Sequence, residues 1–240
     1  MSARILLLAS GEWSTTGWRR PTPRRTRASR PKLARSSALW ALLALAALPP
    51  AVRATTKGLS QIVTPELQPA GQVSLSFQAQ SKAIGNPYEL QMELGVTRWL
   101  EVAVFQGISP NEQIFGTILG LLQREPYLLS TGFINWSTRG QKPQPFLEAG
   151  YYTEHDKLLG GAIQVDSRTE ALAGWAHDFN PTWRVQLDFQ SGADNFTTAG
   201  FTCSLTENLQ FNPAIYVANG SRHQTYGYAV VSYTLNLWQP

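Results

Sequence analysis

Trp183-Arg-Val-Gln-Leu-Asp-Phe-Gln190 separates completely by parity: Trp183, Val185, Leu187 and Phe189 fall on one side, Arg184, Gln186, Asp188 and Gln190 on the other. Successive side chains of a strand point to opposite faces, so a period of two marks an extended segment with one apolar and one polar face. A helix would spread both sets around its circumference.

The pattern recurs on both sides of this stretch. Gln72-Val-Ser-Leu-Ser-Phe-Gln-Ala-Gln80 opposes Val73, Leu75, Phe77 and Ala79 to a row of Gln and Ser, and Tyr88-Glu-Leu-Gln-Met-Glu-Leu94 opposes Glu89, Gln91 and Glu93 to Tyr88, Leu90, Met92 and Leu94. After a tight turn at Val96-Thr-Arg98, Leu100, Val102 and Val104 alternate with Glu101, Ala103 and Phe105. Further candidate strands are 127–136, 145–153, 164–177, 196–205, 208–218 and 226–238, separated by Gly, Asn, Asp, Pro or Lys. Gly160-Gly161 reads as a turn. Nothing beyond residue 70 has the 3.6-residue period of an amphipathic helix. The expectation is an all-β, antiparallel, up-and-down barrel of about ten strands. The apolar run Ile114-Phe-Gly-Thr-Ile-Leu-Gly-Leu-Leu122 fits extra strands, a short helix or a loop, which sets the range at eight to twelve.

Composition narrows the class. The 240 residues are 43% apolar and only 15% charged, against about 25% charged in ordinary soluble domains, and carry eight Trp, eight Tyr and ten Phe. That excludes a disordered chain, and one cysteine excludes a disulfide scaffold. The net charge of +4 points to nucleic acid only until it is divided. Residues 1–54 hold ten Lys or Arg and one acid, so the remainder has ten bases and fifteen acids, a net of −5. No nucleic-acid partner is expected.

The basic stretch reads as an export signal. Arginines up to Arg35 precede the apolar run 38–48, then Pro49-Pro50 and the small-residue pattern Ala51-Val-Arg-Ala54, with cleavage expected after Ala54. The apolar run is far shorter than the ~20 residues of a spanning helix. The long lead-in, rich in Arg, Ser, Thr and Pro, fits either a misplaced start or a transit-like segment. The expected division is 1–54 as signal or targeting segment, 55–70 as N-terminal extension and 71–240 as barrel.

Alternation alone suits a soluble barrel as well as a membrane barrel. The polar faces here are mostly Gln, Ser, Thr, Asn and Gly, whereas a soluble exterior would spend more Lys, Glu and Arg. Aromatics gather near strand ends, with Trp99, Trp136, Trp175, Trp183, Tyr228, Tyr233 and Trp238 as a candidate girdle. With an export signal, this points to a bacterial outer-membrane barrel in contact with a lipid bilayer.

Glu93-Leu-Gly-Val-Thr-Arg-Trp-Leu-Glu101 resembles the Glu-Leu-Gly-Leu-Thr-Asp-Arg-Leu-Glu-Leu hairpin of small bacterial outer-membrane barrels, including the transporter family associated with meta-pathway phenol degradation. Asp188-Phe-Gln-Ser-Gly-Ala-Asp-Asn195 and Gly200-Phe-Thr-Cys-Ser-Leu-Thr-Glu-Asn208 resemble that group's strand, Gly/Asn loop and strand ending in Leu-Thr-x-Asn. The resemblance covers most of 62–238 and implies an outer-membrane transporter of small solutes inserted by the outer-membrane assembly machinery. One departure is the end: Val231, Tyr233, Leu235 and Leu237 form the outward row, and Trp238-Gln-Pro240 follows where an aromatic residue commonly closes such chains.

The chemistry-bearing residues give no catalytic, metal or cofactor assignment. His155, His177 and His223 lack metal-ligand spacing, and His177 and His223 are followed by Asp178 and Gln224 rather than forming the His-x-Ser of barrel lipid hydrolases. Cys203 reads as a small apolar strand residue. The ionisable and amide groups on polar faces are instead the candidate lumen lining: Glu89, Gln91, Glu93, Glu101, Glu148, Glu170, Arg184, Gln186 and Asp188. Either the lumen is filled by these side chains, or a narrow passage favours cationic or small hydrophobic solutes over anions. Two other readings stay open, a soluble periplasmic or secreted barrel that binds an apolar ligand and an outer-membrane lipid hydrolase.

Overall fold

The computed structural model describes residues 59–220 and 223–238. Residues 1–54, with the expected cleavage after Ala54, lie outside the described residues, as do 55–58 of the extension. The described chain forms twelve strands: β1 (Gln72–Gln80), β2 (Tyr88–Thr97), β3 (Leu100–Ile108), β4 (Asn111–Arg124), β5 (Tyr127–Ser137), β6 (Gln144–Tyr152), β7 (Asp156–Val165), β8 (Arg168–Asp178), β9 (Trp183–Gln190), β10 (Phe196–Ser204), β11 (Leu209–Ala218) and β12 (Thr225–Asn236). Each pairs antiparallel with the next, and β1 closes on β12 from Gln72↔Asn236 to Gln80↔Tyr228. Closure leaves no unpaired edge, a condition that any sheet in contact with lipid must meet.

Two strands exceed the sequence count of ten. The apolar run 114–122 is the middle of β4, the longest strand at 14 residues. Its alternation is hidden because register shifts at Phe115/Thr117 and Gly120/Leu122 each displace the parity, and because its inner residue Ile118 meets an apolar part of the interior. The run 164–177 spans two strands: Gln164 and Val165 end β7, the chain reverses through Asp166 (φ 53°), and β8 begins at Arg168. Gly160-Gly161, read as a turn, lies inside β7. A Cβ on Gly161 would stand 2.5 Å from the Leu147 carbonyl oxygen, so the glycine serves close strand approach.

The outward rows are apolar and exposed, as at Leu75, Phe77, Leu90, Met92, Leu147, Leu158, Leu187, Ile215 and Val231. The inner face divides into two sectors. From β9 through β12 to β3 it carries polar residues such as Gln186, Asp188, Thr198, Asn212, Thr234, Ser74, Gln78, Glu89 and Glu101. From β4 to β8 it carries Ile118, Leu128, Phe146, Tyr152, Leu159, Ile163, Leu172 and Ala176. The start of β1 and the end of β12 share one rim with the connections 98–99, 125–126, 153–155, 179–182 and 205–208, and the other connections form the opposite rim.

Candidate functional site: the barrel interior

An apolar sector inside a barrel must be covered or wetted, and here the chain covers it itself. Leu59, Ile62 and Leu67 belong to the same buried cluster as the β4–β8 wall, each burial stabilising by about 1.5–3 kcal/mol. Residues 59–70, the extension to which the sequence reading gave no role, therefore run inside the barrel.

Polar contacts from the wall hold this segment along its length. Asp188 on β9 accepts the backbone N–H of Ser60 (2.7 Å) and of Gln61 (3.1 Å), while Gln186 Nε2 donates to Ser60 Oγ (2.9 Å) and Tyr216 Oη to the Ser60 carbonyl. Farther along, the Pro65 carbonyl accepts from Gln123 Nε2 (2.8 Å) and Ser130 Oγ (2.5 Å), and Lys157 Nζ pairs with Glu66 at 2.6 Å. Glu101 on β3 accepts the Gln68 N–H at 2.6 Å, and Gln68 Nε2 donates to Ser74 Oγ at 2.8 Å. Hydrogen bonds to charged groups are worth about 1.5–3 kcal/mol each. Glycines in the wall make room: a Cβ on Gly95 would collide with the Pro69 and Gln68 carbonyls, and one on Gly174 with Leu59 and Ile62.

On the polar side of the segment remains a cavity of about 170 Å³, bordered by Ser74, Ser76, Gln78, Gln91, Glu93, Glu101, Asn212, Tyr228 and Ser232. Its wall is tied laterally by Ser74 Oγ with Thr234 Oγ1 (3.1 Å), Ser76 Oγ to Ser232 Oγ (2.8 Å), and Gln91 Nε2 to Gln78 Oε1 (2.9 Å) and Glu89 Oε2 (3.2 Å). At the rim shared by the chain ends, a wider vestibule of about 710 Å³ is bordered by Glu154, His155, Asp178, Arg184 and Glu207.

The nine candidate lumen residues thus divide into groups. Glu89, Gln91, Glu93 and Glu101 cluster on β2–β3, the last three of them on the cavity, and Gln186 and Asp188 hold the segment. Arg184 stands in the vestibule, donating through Nε and Nη2 to Asp178 at 2.6 and 3.0 Å rather than to the glutamates. Glu170 accepts from Gln190 (2.8 Å) and Asn195 (2.7 Å) near the opposite rim. Glu148 is fully buried, and neither carboxylate oxygen has a hydrogen-bond partner among the described residues.

Of the candidate girdle, Trp99, Trp136, Trp183 and Trp238 are exposed. Trp136 packs with Phe115 (5.7 Å) and Phe133 (6.2 Å), and half-buried Trp175 donates to Asp156 at 3.1 Å. Tyr233 has the parity of outward Val231, but Tyr228 has that of inward Ser232 and Thr234. Tyr228 borders the cavity and packs on Tyr216 at 5.4 Å, a correction that parity requires, since residues five apart on a strand cannot share a face.

His177 Nδ1 lies 2.9 Å from Asp156 Oδ1, with its ring against Phe179 and Trp175. Among the described residues no serine joins this pair, and no group of three or more His, Cys, Asp or Glu could hold a metal. Cys203 is a half-buried free thiol.

No protein-family model and no curated protein matches the chain. Among solved structures it is similar to the KdgM porin in complex with disordered oligogalacturonate, with TM-score 0.48 and 11% identity over 68% of this chain and 98% of that one. It is also similar to the NanC porin in a rhombohedral crystal form (TM-score 0.43, 10% identity, 68% and 98% covered) and to a triple mutant of the Rhodopseudomonas blastica porin (TM-score 0.37, 12% identity, 64% and 57% covered).

Proposed function

We propose that the chain is an outer-membrane β-barrel that acts as a narrow small-solute channel without a catalytic step. The observation that carries this reading is the direction of its faces. A belt of apolar side chains points outward on a closed barrel, with Leu90 53%, Leu147 51%, Leu158 51% and Ile215 52% exposed, while carboxylates and amides point inward. Soluble proteins rarely expose apolar patches beyond a few hundred Å², whereas a bilayer requires such a belt. A soluble barrel that bound an apolar ligand would carry the opposite arrangement, and the apolar sector inside this one is occupied by residues 59–70.

The finer assignments rest on the sequence. Cleavage after Ala54 leaves an exported chain with a net charge of −5, and the outward row ending β12 meets the assembly machinery. The resemblance at 93–101 favours a role in uptake of small hydrophobic solutes, while Glu93 and Glu101 beside the cavity favour cations over anions.

Fractionation tests the main reading. The protein is expected in outer membranes and, like folded barrels, to change gel mobility on boiling. Recovery in the soluble fraction with no heat shift overturns it. Alanine at His177 is expected to leave lipid turnover at background, and a His177-dependent release of fatty acid would favour the hydrolase instead.

A further inference from the structure

The interior holds more than side chains, and what it holds bears on what passes. Resting on the channel reading above, we infer that residues 59–70 are the channel's resident constriction. They close the apolar half of the lumen and confine passage to a slot along β1, β2, β3 and β12 whose carboxylates select small cations and neutral solutes.

Three observations converge. A barrel of eight strands has an interior that wall side chains just fill, and twelve strands leave additional space. The segment fills it on one side only, because Leu59, Ile62 and Leu67 bind the apolar sector. Its fixed points lie on well-separated strands: Asp188 of β9 at Ser60 and Gln61, Lys157 of β7 at Glu66, and Glu101 of β3 at Gln68. A segment fastened at both ends and packed dry along one side has the character of a wall rather than of a loose tail.

The slot left beside it has about 170 Å³ of free volume. Its borders include Glu93, Glu101 and the segment's own Glu66, and among the described residues no Lys or Arg borders it; Glu66 is paired with Lys157 and Glu101 accepts the Gln68 N–H, so the negative sign of the slot rests on the wall residues Glu93 and Glu101. A low-dielectric passage lined by one sign of charge concentrates ions of the other sign. The segment is therefore the obstacle, and the wall residues Glu93 and Glu101 are the filter.

The test uses the full-length, membrane-inserted protein in planar bilayers, with Cys203→Ala removing the native thiol and a cationic methanethiosulfonate as probe. Two cysteines are compared: Ser76→Cys on the slot and Leu172→Cys on the wall that the segment covers. Modification is expected to reduce current at least several-fold in Ser76→Cys and to leave Leu172→Cys unreacted. Glu93→Gln is expected to lower the cation-to-anion permeability ratio, and an unchanged ratio counts against the filter. A chain lacking residues 59–70 should, when its heat-dependent gel shift shows that it folds, carry a several-fold larger current with weaker ion preference.

Equal reactivity of the two cysteines, or equal currents with and without the segment, overturns the constriction and leaves the channel intact. A silent wild type with a conducting truncated chain overturns the slot, because the segment then seals the lumen. Silence of both folded proteins overturns the channel reading and this inference with it.

Discussion

Parity assigns most side chains of this protein, and two residues show its reach. Tyr228 and Tyr233 are equally aromatic and equally close to a strand end, yet one borders the cavity and the other faces outward because five is an odd number. Glu148 follows the inward parity of β6, stands opposite Ser130 and Gly161, and lies one inner position from Phe146 of the apolar sector. Its carboxyl there has no hydrogen-bond partner among the described residues, a situation that costs about 1–3 kcal/mol for a buried polar group and more for a charged one. Glu148→Met is accordingly expected to raise the temperature at which the folded gel band is lost. A lowered temperature would mean that the carboxylate has an unrecognised stabilising partner. The sequence places Glu148 inward, but its isolation depends on which strands neighbour it and what the segment brings beside them.

At the scale of elements, legibility tracks how regularly a strand alternates. β1 and β9 alternate without interruption and are bounded closely by the sequence pattern, and β2 alternates as far as Leu94 before its register with β3 shifts between Gly95 and Thr97, whereas β4 is obscured by two register shifts and β7 by its adjacent glycines. Those glycines separate by side. A Cβ on Gly161 would stand 2.5 Å from the Leu147 carbonyl and 2.9 Å from the Glu148 Cα, both backbone atoms, while one on Gly160 would meet nothing within 4 Å. Gly161→Ala is expected to reduce the heat-modifiable fraction sharply, and Gly160→Ala to leave it at the wild-type level. Equal behaviour of the two would contradict the close approach of β6 and β7. Residues 59–70 were illegible for a different reason: they have no period, since their contacts are spread over most strands of the barrel rather than made to a repeating neighbour.

For the whole molecule, the dominant fact is that the exterior is apolar while the charges lie inside or at the rims. Leu187 stands mid-strand and is 48% exposed, so Leu187→Arg places a charge on the outward belt. In a bilayer such a change costs about 2–4 kcal/mol near the midplane. The expected result is a matching loss of folding stability in lipid vesicles, with Leu187→Met unchanged; an arginine tolerated without cost would argue that this face meets water. Sequence by itself determined that the chain is built of alternating strands, which rows are apolar, and that the basic residues are concentrated before the barrel, because these properties are local and periodic. Only the tertiary structure decided that there are twelve strands, that the inner face has an apolar and a polar sector, and that residues 59–70 lie against the apolar one. The physical reason is that a strand's period states that it has two faces, while what each face meets is fixed by closure, which brings distant strands around a common interior.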